Sequence, residues 1–189
     1  HMGGQFMHLQ NTEDLSEYKE NLFGKYADNP PKLLVLLGSA SWGLLKESIE
    51  KQWKDVPIIL CTETDYVGPQ EAYLHRRAIA AEERTPLTDY RGNLSLTVFH
   101  VPAYLKETVL LMQNLMPEMD ELIFLSDARY ISAQFRSDLK EIVNKDFPEF
   151  EIKDYVAGEM TTDELADSLA HAEENSGVLF CSWYQENAQ

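Results

Sequence analysis

Residues 32–62 of the chain, KLLVLLGSASWGLLKESIEKQWKDVPIILCT, decide its fold class. Residues 32–37 form a nearly pure aliphatic run, which predicts a strand covered on both faces. Residues 39–53 then place apolar side chains at helical spacing, and residues 56–62 form a second apolar run. Strand, helix and strand in this order are the unit of a parallel sheet. The stretch therefore predicts an α/β protein.

The same alternation continues on both sides of this stretch. A helix is predicted at residues 11–27, with Asn11 or Thr12 as its N-cap. The alternating pattern is weak at residues 63–93, although residues 70–84 have some helical character. Further along the chain, Thr161 and Glu164 show the spacing of a capping box. Further predicted elements are strands at residues 94–101, 121–126, 150–156 and 178–183, and helices at residues 102–117, 128–145 and 161–174. We predict two small, doubly wound parallel-sheet lobes, residues 1–93 and 94–189.

Composition excludes some classes of function. The 189 residues include 16 Lys+Arg and 32 Asp+Glu, a formal net charge of −16, so a basic face for nucleic acid is not expected. The apolar runs are far shorter than the roughly 20 residues that span a bilayer. Cys61 and Cys181 lie in predicted strands, where buried free thiols are favoured over a disulfide. No cysteine or histidine cluster has metal-ligand spacing, and we expect neither metal nor cofactor.

Two nucleotide motifs fail at the turn after the first strand. Gly38 and Gly43 have the glycine spacing of a phosphate loop, but Leu44 and Leu45 stand where that loop needs Lys and Ser or Thr. The dinucleotide fingerprint is not formed either. Ser41 nearly makes a nucleophile elbow, but Ser39 replaces the first glycine of that motif. A serine hydrolase using Ser41 is therefore a minor alternative, since the late histidine, His171, lies in a predicted helix.

Polar and aromatic residues gather where predicted strands end, and open parallel sheets bind ligands at that edge. Asp127 serves equally well as a helix cap, and Ser39 or Ser41 also fit capping roles. Glu63 and Asp65 are either an acid and base pair or turn residues. Arg129 fits an anionic group, whereas Trp42 or Tyr130 fits a sugar or aromatic ring. The predicted ligand-binding residues are Ser39, Ser41, Trp42, Thr62, Glu63, Asp127, Arg129 and Tyr130, without a catalytic set.

Four short motifs carry a family resemblance. They are VPIILC at residues 56–61, DYVGP at residues 65–69, RGNL at residues 91–94 and LMP at residues 115–117. In this order they resemble the substrate-binding proteins of ABC transporters. The resemblance implies a type I periplasmic-binding fold, with the ligand between two lobes. The chain departs from the family at Tyr66, where proline is usual, and in lacking the opening and closing elements, so we expect a truncated version.

The resemblance extends to extracytoplasmic sensor domains of two-component histidine kinases. We therefore expect a non-enzymatic sensor, periplasmic or otherwise extracytoplasmic, that binds a sugar, amino acid or similar molecule. Its implied partner is a membrane-attached signalling or transport protein, and a homodimer is compatible with it. Alternatives are a solute-binding component of an ABC transporter, a dimerisation surface without ligand, and the serine hydrolase.

Overall fold

The structure is a computed structural model that describes Leu9 and residues 11–184. The chain divides into two compact units, His1–Ala103 and Tyr104–Gln189. The sequence places this division after Asn93, so the last strand of the first unit lies beyond the expected boundary. Each unit contains a three-stranded parallel sheet. The predicted α/β class with parallel strands is therefore confirmed.

The first unit alternates strands and helices around one parallel sheet. Asn11 caps the first helix, because its side chain accepts hydrogen bonds from the amides of Glu13 and Asp14. The parallel sheet has the order β1-β2-β5, and β3 pairs with β4 in a separate antiparallel ribbon. The elements are α1 (Thr12–Lys25), β1 (Leu34–Leu37), α2 (Ser39–Gln52), β2 (Ile58–Thr62), β3 (Tyr66–Val67), α3 (Gln70–Leu74), a 3-10 turn (Ala81–Glu83), β4 (Thr85–Pro86), α4 (Leu87–Tyr90) and β5 (Leu96–His100).

The core of the first unit forms where α2 packs on the sheet. The helix contacts β1 and β2, and its Trp42 and Ile49 side chains are buried, as are Ile58 and Leu60 of β2. On the side of α3, the approach is so close that a Cβ atom at Gly43 would clash with the ring of Tyr73. Glycine at position 43 therefore allows α2 and α3 to pack together.

The opposite face of this sheet is largely exposed. Parallel pairing aligns Leu37 with Cys61 and Cys61 with Phe99, so these three side chains share one face. Leu37 and Phe99 are 72% and 56% exposed, whereas Leu36, which points to the other face, is buried. The prediction that the first strand is covered on both faces is therefore wrong within the described residues. The aliphatic run does not reveal which of its two faces has a helix against it.

Truncating a leucine on each face of this sheet tests the asymmetry. Leu60→Ala should lower the free energy of unfolding of the first unit by about 2 to 5 kcal/mol, because it leaves a cavity under α2. Leu37→Ala, the matched control on the exposed face, should change it by less than about 1 kcal/mol. Urea unfolding followed through Trp42 and Trp53 measures both variants. Equal losses would contradict an uncovered face.

The second unit has helices on both faces of its sheet. Strand order is β7-β6-β8, with the buried strand β6 in the centre. Its Leu122 and Phe124 pack in a cluster with residues of α5 and α6, whereas Ile123 and Leu125 pack with Leu165 of α7. The elements are α5 (Leu105–Leu115), β6 (Glu121–Asp127), α6 (Tyr130–Asp146), β7 (Glu151–Ala157), α7 (Thr162–Ala170) and β8 (Ser176–Phe180).

Local signals in the second unit differ in how well they predict the structure. The capping box is confirmed, since Thr161 accepts from the Glu164 amide while the Glu164 carboxylate accepts from the Thr161 amide. Helix α5 begins at Leu105, three residues after the predicted start at residue 102, and its Leu110 and Leu115 are exposed. In the first unit, helical structure within residues 70–84 is limited to α3, which ends at Leu74, and to the 3-10 turn Ala81–Glu83.

Candidate functional site

In each unit, residues predicted to bind a ligand lie near the edge where the parallel strands end. In the first unit, Gly38 follows β1 with a φ of 83°, a conformation that glycine adopts without strain. This turn brings Ser39, the first residue of α2, against Glu63, which follows β2. The Ser39 hydroxyl donates to Glu63 Oε1 at 2.8 Å, and the Ser39 amide donates to the same oxygen at 3.4 Å. Glu63 is therefore a capping group for α2.

This cap gives the edge of the first unit an acidic character. The N-terminus of a helix carries a partial positive charge that attracts anions, and the Glu63 carboxylate already lies there. His100, at the end of β5, places its Nε2 3.3 Å from the Glu63 carbonyl oxygen. Because the Glu63 carboxylate lies at the start of α2, it supplies the negative charge that an anionic ligand would bring there. This edge suits neutral or cationic groups better than anions.

Three other predicted residues of this unit are buried. Trp42 is 0% exposed, and its ring lies edge-on to that of Tyr90 with centroids 6.4 Å apart. The Ser41 hydroxyl donates to the Gly38 carbonyl at 2.7 Å, and the Thr62 hydroxyl donates to the Thr64 carbonyl at 3.0 Å. Ligand contact at Ser41, Trp42 and Thr62 stays a prediction, and their burial favours packing and turn roles instead.

Removing the serine partner of the α2 cap tests its contribution. Ser39→Ala should lower the free energy of unfolding of the first unit by about 1 kcal/mol, because it removes the hydrogen bond to Glu63. Ser48→Ala, in the interior of the same helix, should be neutral or slightly stabilising, since alanine has the higher helix propensity. Denaturant unfolding of both variants gives the comparison. If Ser39→Ala costs no more than Ser48→Ala, the cap does not stabilise α2.

At the edge of the second unit, a carboxylate connects β6 to the start of α6. Asp127, the last residue of β6, is 0% exposed. Its Oδ2 accepts from Arg129 Nε at 2.9 Å and Nη2 at 2.7 Å, while its Oδ1 accepts from the Arg129 amide at 3.0 Å. The Ser132 hydroxyl also donates to Oδ1 at 2.8 Å. Asp127 therefore fixes the position of Arg129 at this edge.

The network extends to the segment after β8. Ser132 Oγ lies 3.0 Å from Ser182 Oγ, and Ser182 also lies within hydrogen-bonding distance of the Cys181 thiol. Because the Ser132 proton points to Asp127, Ser182 is the donor between the two hydroxyls. Two consecutive hydroxyl donors thus connect α6 and the chain after β8 to one buried carboxylate.

Opposing effects determine the protonation of Asp127. Burial favours the neutral acid, whereas the Arg129 guanidinium and amide and the two serine hydroxyls stabilise the carboxylate. The stabilising contacts prevail, so the pKa of Asp127 lies below its ordinary value. The pKa of Arg129 is raised, chiefly by its hydrogen bond to Asp127. Both groups are therefore charged at neutral pH.

Arg136 is a second cation at this edge that is not among the residues predicted from the sequence. Its Nη1 donates to the Ser126 hydroxyl at 2.7 Å and to the Asp127 carbonyl at 2.9 Å. Ser132 and Arg136 are four residues apart, so they share one face of α6. That spacing, measured from a helix that starts just after Asp127, is the sequence signal that indicates both residues. Tyr130, by contrast, is buried, which disfavours its predicted stacking role.

The low pKa of Asp127 predicts the pH dependence of the second unit. The carboxylate contributes stability above its unfolded pKa of about 3.9 and loses that contribution as pH falls through the lower folded pKa. Wild-type stability should therefore fall below about pH 4. Asp127→Asn should flatten this dependence and cost about 1 to 3 kcal/mol at pH 7.

Unfolding at a series of pH values, followed through Trp183, measures this dependence. The matched control is Asp167→Asn on α7, where the carboxylate is exposed and the wild-type profile should persist. The same steep loss of stability in Asp127→Asn as in wild type would contradict the assignment.

The structure thus brings predicted residues together in pairs within each unit. Ser39 contacts Glu63 in the first unit, and Asp127 contacts Arg129 in the second. Cys61 and Cys181 are unpaired, as predicted, but both are half-buried instead of buried. Within the described residues, no group of three or more His, Cys, Asp or Glu side chains is arranged to hold a metal ion.

A 420 Å³ pocket in the first unit involves different residues. Lys19 and Glu47 line it together with Tyr90 and the turn at Gly68 and Pro69. None of the eight predicted ligand-binding residues lines this pocket.

The comparisons with known proteins give no relative for the chain: no family model, no curated protein and no solved structure matches it. Within residues 11–184, no helix combines the length and the apolar composition needed to cross a membrane.

Proposed function

We propose that the chain is a non-enzymatic small-molecule-binding domain of an extracytoplasmic sensor, coupled to a two-component histidine kinase. The observation that carries the proposal is the set of side chains at the carboxyl edge of β6. There the partly exposed guanidinium of Arg129 is held by the buried carboxylate of Asp127. Carboxyl edges of parallel sheets are common ligand sites, and a fixed guanidinium provides directed hydrogen-bond donors.

The hydroxyl groups at the two edges support binding without catalysis. A serine nucleophile needs a general base within hydrogen-bonding distance of its hydroxyl. The Ser41 hydroxyl donates to a backbone carbonyl, and those of Ser39 and Ser132 donate to carboxylates that fix helix starts. In the described part of the chain, His100 and His171 make their side-chain hydrogen bonds to backbone oxygens. These contacts favour a structural role for the serines.

The assignment as a sensor rests on the motif resemblance. The geometry supports binding, but it does not favour a histidine kinase over another partner protein. A ligand that prefers one conformation of a domain shifts its population, and an attached kinase can respond to that shift. The periplasmic location and the membrane-attached partner belong to this same proposal. A solute-binding component of an ABC transporter uses the same edges and is the second candidate.

A ligand screen with a guanidinium variant tests binding. Thermal unfolding of the wild-type chain is recorded with sugars, amino acids, nucleosides and small organic acids. We expect one class to raise the unfolding temperature, since a ligand that binds only the folded state stabilises it. Arg129→Gln should weaken binding of that class about tenfold or more, because charge-assisted hydrogen bonds are lost.

Lys145→Gln, a charge-removing change at an exposed position of α6, is the matched control and should keep full affinity. If no class of compound raises the unfolding temperature, the result would contradict the binding proposal and favour a dimerisation role.

A fluorophosphonate probe tests the hydrolase alternative. The probe labels serine nucleophiles whose hydroxyl is activated by a base. We expect no labelling of the wild-type chain, because the Ser41 hydroxyl is buried and bonded to Gly38. Labelling detected by mass spectrometry that disappears in Ser41→Ala would overturn the non-enzymatic assignment.

A further inference from the structure

The structure of the second unit points to an anionic ligand group that binds Arg136 at the carboxyl edge of β6. This inference rests on the proposed binding function and specifies the chemical class of the ligand. The shared chemistry is a carboxylate or phosphate, either of which offers oxygen acceptors that match the planar donors of a guanidinium.

The two guanidinium groups at this edge have different partners. Arg129 forms an ion pair with Asp127, so its charge is balanced within the protein. Arg136 donates through Nη1 to the Ser126 hydroxyl and the Asp127 carbonyl, which are both neutral acceptors. Among the described residues, Arg136 has no carboxylate partner, and its Nε and Nη2 donate no hydrogen bond. These donors remain for an external acceptor.

The charges at the β6–α6 connection are also unequal. Asp127 contributes one negative charge there, and Arg129 and Arg136 contribute two positive charges, while the acidic residues Glu159, Asp163 and Glu164 follow the neighbouring strand β7. The whole chain, by contrast, carries a formal net charge of −16. Arg136 is only partly exposed, and removing a charge from water is costly unless an opposite charge accompanies it. An anionic group supplied by a ligand would balance this guanidinium.

The first unit differs in the charge at its helix start. There the carboxylate of Glu63 caps the N-terminus of α2. Helix α6 has no acidic residue in its first turn, and Arg129 at its N-cap position forms no side-chain cap. The Asp127 carboxylate at this helix start is bonded to Arg129 and Ser132, so it does not neutralise Arg136. The anionic group is therefore assigned to the second unit.

Calorimetric titration of the full chain tests this inference with four probes: inorganic phosphate, succinate, acetate and neutral glucose. We expect one or more of the anions to bind, with affinity that falls as salt rises, because screening weakens charge attraction. Tighter binding of phosphate than of succinate and acetate identifies a phosphate group, and the reverse order identifies a carboxylate.

Substitutions at position 136 assign the anion to this guanidinium. Arg136→Gln should weaken binding about tenfold to a hundredfold, whereas Arg136→Lys should recover part of it, since the charge remains but the planar donors are lost. Lys145→Gln on the same helix should bind like wild type. Circular dichroism and Trp183 fluorescence confirm that each variant is folded, and Arg136→Lys preserves the test if Arg136→Gln does not fold.

The outcomes separate this inference from the proposed function. If glucose or another neutral compound binds while the anions do not, the anionic class is wrong and the binding function stands. If anions bind equally well to Arg136→Gln, the assignment to Arg136 is wrong. If no compound of any class binds, both this inference and the proposed function fail.

Discussion

The candidate site of the second unit depends on the hydrogen bonds and the ion pair that the buried carboxylate of Asp127 makes. This carboxylate lies at the end of the central strand β6 and accepts hydrogen bonds from the start of α6. A buried charge without partners is strongly unfavourable, so the arginine and serine contacts must form together with the fold. Through Ser132 and Ser182 the same contacts extend to the segment after β8. One carboxylate thus determines where the strand, the helix and the final segment meet.

The two sheet edges have the same strand–helix topology but differ in how their charged side chains are paired. In the first unit a carboxylate from the loop after β2 caps the helix that follows β1. In the second unit the aspartate lies at the strand end, and its charge is matched by an arginine two residues later. The first edge therefore carries a resident anion, whereas the second retains a guanidinium bonded only to neutral oxygens. Similar βα connections thus differ in local charge through the placement of single side chains.

Much of the fold follows from local patterns in the sequence. The aliphatic runs near β1, β2 and β6 predict parallel strands, and the Asn11 cap and the Thr161–Glu164 capping box mark helix starts within one residue. These features depend on side-chain spacing and on hydrogen bonds between near neighbours, which the chain order fixes. The sequence fails at residues 70–84 and at the outer face of β1, because both depend on packing partners distant in the chain.

The sequence by itself determined the alternation of strands and helices, and with it the edge where polar residues collect. It also identified Ser39, Glu63, Asp127 and Arg129 individually. It did not indicate that Ser39 contacts Glu63 or that Asp127 contacts Arg129. The tertiary structure alone decided that Trp42 and Tyr130 are buried and that Arg136 contacts the end of β6. Burial and hydrogen-bond partners depend on which distant segments lie alongside a residue. Periodicity along one segment contains no information about those neighbours.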